Sequence, residues 1–241
     1  MLDFGFKSDR GKLRKENQDA FFVMPKEGIF LVSDGVGGHS FGELASRLTM
    51  TYIAGFIKEN PIPDEASDED LKDYFLSLAR MANEHVHKEA LDRATNGMAT
   101  TLIMLYIRRD AAYVMNIGDS RAYLVRDANI MQITEDHTYV NDLVKEGVIT
   151  QKEAKSHPDK NMITRAIGAE PTVKPDFYKF DIYARDVLLL CTDGLYNEVS
   201  EHAICKVLAR QKNMREACTR LVDMANNNGG GDNITVVAVR V

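Results

Sequence analysis

The chain has 241 residues, 44 % of them apolar and 27 % charged, and 30 Lys/Arg against 36 Asp/Glu leave a formal net charge of −6. A single layered domain of this length buries a large core, and no low-complexity tract, fixed repeat or charge block divides it. An acidic chain without a basic, aromatic-laced stripe excludes a nucleic-acid surface, and the absence of an apolar run of roughly 18 residues excludes a membrane-spanning helix.

In chain order, Leu2, Phe4 and Phe6 alternate as in a strand, and the apolar runs Ala20 to Met24 and Ile29 to Val32 predict two more, the second stopping at Ser33-Asp34-Gly35. Leu44, Ala45, Leu48, Tyr52, Ile53, Phe56 and Ile57 recur at helical spacing until Asn60-Pro61, and Leu71, Phe75, Leu78, Ala82 and Val86 repeat the period in a second helix. Thr100 to Ile107, Ala112 to Ile117 and Arg121 to Val125 predict an antiparallel meander, with Gly118-Asp119-Ser120 as the turn between its last two strands. Thr150-Gln-Lys-Glu153 is a capping box for a short helix ended by Pro158, so residues 138 to 165 form a helical excursion between strands. Val187 to Cys191 predicts a fully buried strand, followed by helices carrying Ala203 to Leu208 and Ala217 to Ala225, a stop at Gly229 to Gly231, and a closing strand from Ile234 to Val241. Strand runs with a helix pair after each half predict an α+β fold: two antiparallel sheets face to face with helices on both outer sides, in one domain spanning 1–241.

Cys191, Cys205 and Cys218 are odd in number, widely spaced and on apolar positions, which predicts buried free thiols. None is followed by arginine at the spacing of a phosphate-cradling cysteine loop, so a thiol nucleophile is excluded. The first ten residues hold no apolar leader core, which points to a cytoplasmic protein.

Four aspartates, Asp34, Asp119, Asp193 and Asp232, stand beside Gly or Asn at predicted strand ends, and Asp19 precedes the strand Ala20 to Met24. Any one Asp-Gly pair reads as a turn. Where strand ends converge, however, two carboxylates about 4 Å apart repel by about 4 kcal/mol at an effective dielectric near 20, and a cation between them relieves that cost. Oxygen ligands without Cys or clustered His favour Mg²⁺ or Mn²⁺ over Zn²⁺. A pair of such ions activates water and clamps an in-line displacement at phosphorus, which predicts phosphate-ester hydrolysis. Arg14 is either a solvated surface residue or the forked donor that the phosphate requires.

Arg14 with Asn17-Gln18-Asp19, Asp34-Gly35-Val36-Gly37-Gly38-His39, Gly118-Asp119-Ser120-Arg121, Asp136-His137-Thr138, Cys191-Thr192-Asp193-Gly194-Leu195 and Gly231-Asp232-Asn233-Ile234-Thr235 together resemble the ordered motifs of the metal-dependent protein phosphatase (PPM, type 2C) family in its compact bacterial form. The resemblance runs from about Arg10 to Val239. It implies a serine/threonine protein phosphatase with its metals in a cleft at one end of the sandwich. Asp34 would bridge two cations and the Gly35 carbonyl would join one, while Asp193 and Asp232 complete the other and Asp19 supports the site. Asp119 with Asp193 would hold a third cation. Arg14 would grip the substrate phosphate, and His39 would protonate the leaving oxygen. Residues 138–165 would be the flap beside the cleft, with His157 and Asn161 as substrate-contacting positions. The implied partners are phosphorylated proteins and an opposing serine/threonine kinase, and the chain is expected to act as a monomer. Where the family reads Met-Gly-Thr-Thr, this chain has Met98-Ala99-Thr100-Thr101, for which a local packing adjustment is expected.

Two other readings compete. Gly38-His39-Ser40-Phe41-Gly42 fits the G-x-S-x-G pattern of a serine-hydrolase elbow, although Ser33 to Gly38 separate Ser40 from its strand. A phosphoprotein-binding module of the same fold without catalysis is the second.

Overall fold

The computed structural model describes residues 2–38, 41–93, 95 and 97–241. The chain opens with β1 (Asp3–Asp9), β2 (Asp19–Met24) and β3 (Ile29–Val36), followed by α1 (Phe41–Glu59) and α2 (Asp68–Asp92). Next come β4 (Ala99–Thr100), β5 (Leu102–Arg108), β6 (Ala111–Ile117), β7 (Arg121–Arg126) and β8 (Asn129–Gln132), then the short helices α3 (Tyr139–Lys145) and α4 (Gln151–Ala154). The chain continues through β9 (Asp176–Asp181), β10 (Val187–Cys191), α5 (Asp193–Tyr196), α6 (Glu201–Arg210) and α7 (Met214–Asn228) to β11 (Ile234–Arg240).

The strands form two antiparallel sheets. One has the order β1-β11-β10-β7-β8, and the other runs β2-β3-β5-β6-β9 with β4 added on β3. Strand alternation explains the layering. Ile29 and Leu31 of β3 enter a cluster with Ile53, Leu71, Phe75 and Leu78 of α1 and α2. The intervening Phe30 and Val32 pack between the sheets, against Leu188 and Leu190 of β10 and Val237 and Val239 of β11. On β10, Val187, Leu189 and Cys191 face Leu208, Cys218 and Leu221 of α6 and α7. The central strands therefore read as unbroken apolar runs because each is covered on both faces. Gly5 lets α7 lie directly on β1, since a Cβ there would run into the Met214 backbone. Helices cover both outer sides, as the sequence predicts.

Four local expectations change. The predicted meander breaks at Gly118: β5 and β6 are hairpin partners, but β7 pairs with β10, so Gly118-Asp119-Ser120 carries the chain from one sheet to the other. Gly118 makes that crossing with φ +102 and with the Thr101 side chain where a Cβ would be, a conformation that only glycine adopts without strain. The run from Thr100 to Ile107 is interrupted, with Thr100 belonging to β4 opposite Gly35. The capping-box helix stops at Ala154, capped by Lys155, before Pro158 is reached. β8 and β9 are additional strands at the two sheet edges.

The three cysteines are buried and free. Ala99 pairs with Val36 in β4 and is absent from the positive-φ residues, so alanine costs no backbone strain there. No helix among the described residues is long and apolar enough to cross a membrane.

Candidate metal centre

All five aspartates lie at one end of the sandwich. Asp19 and Asp34 are direct cross-strand partners on β2 and β3. Asp193 opens α5 immediately after β10, and Asp232 stands just before β11, which runs antiparallel to β10. Asp119 rides the crossing between the sheets. Two carboxylates therefore come from each sheet and one from the connection. Gly35, whose carbonyl is a further oxygen donor, is fixed by its amide on the Gln18 carbonyl at 3.2 Å and has no room for a side chain against Gly42.

Buried hydroxyls and amides hold these elements together. Thr192 Oγ1 donates to Asp19 Oδ2 at 2.9 Å and accepts from the Thr235 amide at 2.9 Å, joining β2 to the ends of β10 and β11. Asn233 accepts from the Gln18 amide at 2.8 Å and donates to the Arg10 and Glu16 carbonyls, which ties the Arg14 loop to the start of β11. Thr101 Oγ1 accepts from the Asp34 amide at 2.8 Å and bonds Ser120 Oγ at 2.7 Å. Behind Asp119, Tyr196 donates its hydroxyl to the Asp119 carbonyl at 2.9 Å, and the Arg121 guanidinium lies 3.6 Å from the Tyr196 ring centroid while forking onto Asp136. Thr192, Asn233, Tyr196 and Arg121 lie inside the quoted motifs or next to them, but an isolated hydroxyl, amide or aromatic ring carries no sequence signal of its own.

The carboxylates destabilise one another's charge. Burial, then the nearby Asp193 and Asp232, push Asp19 up to about 7 against the stabilising hydroxyls of Thr235 and Thr192. Burial and Asp193 raise Asp119 to about 7, and burial and Asp232 raise Asp193 to about 6. Asp34 is raised well above the usual carboxylate range by burial and by Asp19, Asp193, Asp119 and Asp232. Asp34 and Asp193 are within hydrogen-bonding reach. Two carboxylates tolerate that contact only by sharing a proton or a cation. Asp19 Oδ1 and Asp193 Oδ1 are buried without a hydrogen-bond donor. No three His, Cys, Asp or Glu side chains among the described residues stand in ready-made ligand geometry. The donor set nevertheless fits hard divalent cations: it is all oxygen, carries excess negative charge and includes buried acceptors that no protein donor satisfies.

Arg14 places Nη2 2.6 Å from Asp232 Oδ2 and keeps its side chain 53 % exposed, so it stands at the edge of the site with donors to spare. Its hydrogen bond to Asp232 raises its pKa, against burial, which lowers it. From Asp119, a groove of about 650 Å³ runs beneath the excursion at 138–165, past Asn197 and Glu201 on one wall and Lys155, Lys160 and Asn161 on the other. Asn161 thus faces the groove. His157 packs edge-on to Tyr139 and accepts from the Asp159 amide at 3.1 Å, which makes it a turn-forming residue of the excursion itself. His39 and Ser40 lie outside the described residues.

A family model described as "Protein phosphatase 2C" matches residues 12–232. The chain belongs to the protein phosphatase 2C family. Among curated members, the Listeria innocua serine/threonine phosphatase stp is 34 % identical over 238 residues, covering 97 % of this chain and 94 % of that protein. The S. agalactiae serine/threonine phosphatase has 33 % identity and a TM-score of 0.92 over 100 % of both chains. The catalytic domain of the phosphatase PstP, solved in complex with two manganese ions, has 33 % identity and a TM-score of 0.85, covering 99 % of this chain and 97 % of that one. The two-sheet architecture of this chain is thus that of the protein phosphatase 2C fold.

Proposed function

We infer that this chain is a metal-dependent serine/threonine protein phosphatase that hydrolyses phosphoserine and phosphothreonine esters in proteins. The observation that carries the reading is the convergence of five aspartates from five places in the chain, two of them with buried oxygens that no protein group satisfies. Asp34, the Gly35 carbonyl, Asp193 and Asp232 would hold two core cations, Asp19 would support them from its hydrogen bond with Thr192, and Asp119 with Asp193 would hold a third. Manganese is favoured by the solved relative that carries two Mn²⁺, and magnesium suits the same oxygen donors. When bound, the cations lower the pKa of water and neutralise charge developing on phosphorus oxygens.

The chain's own groups do the rest. Arg14, already oriented by Asp232, presents its remaining guanidinium N–H groups to the non-bridging phosphate oxygens. His39 is the candidate proton donor to the leaving serine or threonine oxygen. The groove under the flap takes the peptide on one side of the phosphoresidue, with Asn161 on its wall and His157 shaping the flap from within. The setting this implies is cytoplasmic signalling, by a monomer acting opposite a serine/threonine kinase.

The test uses p-nitrophenyl phosphate and a phosphothreonine peptide. EDTA should abolish turnover of both and Mn²⁺ should restore it, whereas Asp34→Asn should not be restored at any Mn²⁺ concentration, because the carboxylate that would serve the core cations is gone. Chelator-resistant ester hydrolysis that disappears in Ser40→Ala would instead establish the serine-hydrolase reading. Stoichiometric phosphopeptide binding without turnover would establish the binding module.

A further inference from the structure

Within the quoted motif Asp136-His137-Thr138, the central histidine has no part in holding cations or phosphate, yet its imidazole is among the most buried polar groups in the molecule, at 2 % exposure. Its Nδ1 accepts from the Gly118 amide at 3.1 Å, and its Nε2 lies 3.0 Å from Asp176 Oδ2. A backbone amide can only donate, so Nδ1 is bare and the ring proton sits on Nε2, directed at Asp176. Arg165 Nη1 is 3.2 Å from that same Nε2, but two donors cannot bond each other. The guanidinium is satisfied by Asp176 Oδ1 at 2.9 Å, and both donors converge on one carboxylate. Burial, the largest influence on the ring, lowers its pKa and agrees with a neutral imidazole. The backbone repeats the link: the His137 amide donates to the Gly118 carbonyl at 3.0 Å, and the Thr164 amide donates to the His137 carbonyl at 2.8 Å.

These bonds join two things that are far apart in sequence. On one side is Gly118, the residue before Asp119, held at φ +102. On the other are both roots of the flap: Thr138 caps α3 and is bridged to Ile163, and Arg165 follows two residues later. A displacement of the flap roots therefore moves the imidazole that fixes the Asp119 turn. We propose that His137 is a positioning residue coupling the flap to the Asp119 turn, so that a phosphopeptide seated under the flap and a cation held at Asp119 tighten each other's binding. The inference rests on the reading of Asp119 as a cation ligand. Such coupling is reciprocal by thermodynamic necessity and requires only that both ligands order the same element.

The experiment is calorimetric titration of the full chain with Mn²⁺, with and without a peptide carrying a non-hydrolysable phosphonate, alongside hydrogen exchange at the Gly118 amide. In the wild type, the peptide should tighten the weakest Mn²⁺ site several-fold, and Mn²⁺ should tighten the peptide by the same factor. His137→Ala should weaken that site about tenfold, the usual scale for an outer-sphere partner of a metal ligand. It should also abolish the coupling and speed Gly118 exchange. His137→Asn, which puts an amide oxygen where Nδ1 stands, should recover Gly118 protection and most of the affinity. Should His137→Ala fail to fold, Asp176→Ala removes the Nε2 acceptor at a partly exposed position and should likewise abolish the coupling. Unchanged Mn²⁺ affinity and coupling in a folded His137→Ala or Asp176→Ala, with only a lower unfolding temperature, would overturn the inference. Asp119→Asn separates the two levels. If it loses a Mn²⁺ site while His137→Ala does not, only the inference falls; if it keeps every site, the assignment of Asp119 falls and takes the inference with it.

Discussion

Arg14 has one strong partner, Asp232, and an otherwise exposed guanidinium, so its contribution rests on geometry as much as on charge. Lysine keeps the charge but loses the fork. Arg14→Lys is expected to lower kcat/KM on a phosphothreonine peptide by about 1.5 to 3 kcal/mol of transition-state stabilisation, and Arg14→Ala by more. Steady-state kinetics on both variants decide, and wild-type values would return the residue to the solvated surface. The aspartates make a second prediction whose sign follows from protonation. Asp19 and Asp119 lie near 7 and Asp193 near 6, all above the roughly 3.9 of an unfolded aspartate. A cation must displace those protons. Apparent Mn²⁺ affinity should therefore rise from pH 6 to pH 8, and calorimetry in buffers of different ionisation enthalpy should detect more proton release at pH 6 than at pH 8. In chelator-treated protein, the native state binds more protons than the unfolded state between about pH 4 and 7, so stability should fall as pH rises through that window. Asp19→Asn should flatten that fall, as read by thermal unfolding at several pH values.

α5 is only four residues long, yet it places Asp193, and Gly194 lets it sit against the start of β11, where a Cβ would strike the Asn233 carbonyl. Gly194→Ala should lower stability by about 1 to 3 kcal/mol and raise the Mn²⁺ requirement, because α5 must shift to make room. Gly55, inside α1 with nothing near its would-be Cβ, is the internal contrast. Gly55→Ala should stabilise by about 0.5 to 1 kcal/mol with unchanged kinetics. Paired melting and activity curves check both. The same elements show what was readable beforehand. Helical periodicity and doubly buried runs such as Ile29 to Val32 and Val187 to Cys191 specify their elements locally, and the strand-end pairs Asp34-Gly35 and Asp193-Gly194 mark two of the carboxylates that converge at one end of the sandwich. The crossing at Gly118-Asp119-Ser120 has the sequence of a hairpin because its residues satisfy any tight turn, whereas the choice of β10 over β6 as the partner of β7 is made by distant packing. β9 carries no clear strand signal because Asp176, Lys179 and Asp181 give this edge strand the composition of a loop. The role of His137 could not be read at all, since its two partners, Gly118 and Asp176, are far from it in sequence.

The seam where the sheets meet is held partly by Thr192 and Asn233 and partly by carboxylates that repel, so cation binding should stiffen the whole sandwich. At about 100 times its dissociation constant, a ligand specific for the native state adds about 2.7 kcal/mol. For a domain of this size that is a rise in melting temperature of roughly 5 to 10 °C on adding Mn²⁺ to chelator-treated protein, measurable by scanning calorimetry. Asp34→Asn should lose most of it. The placement of β11 carries a further consequence, one of timing. This last strand lies between β1 and β10, so that Ser8 and Thr235 share a hydroxyl bond at 2.7 Å across 227 positions of chain. During synthesis, the sheet of β2, β3, β5, β6 and β9 has all its strand pairings, and α1 and α2 on its outer face, while the ribosome is still making β10 and beyond, although its inner face, with Phe30 and Val32, still waits for β10 and β11. β1 must wait, its edge unpaired, for nearly the whole remaining chain. Closing so long a loop makes the second sheet the slow event of assembly. Because Asp193 and Asp232 belong to that late half, the cluster of five aspartates at the end of the sandwich is complete only at the final step of folding.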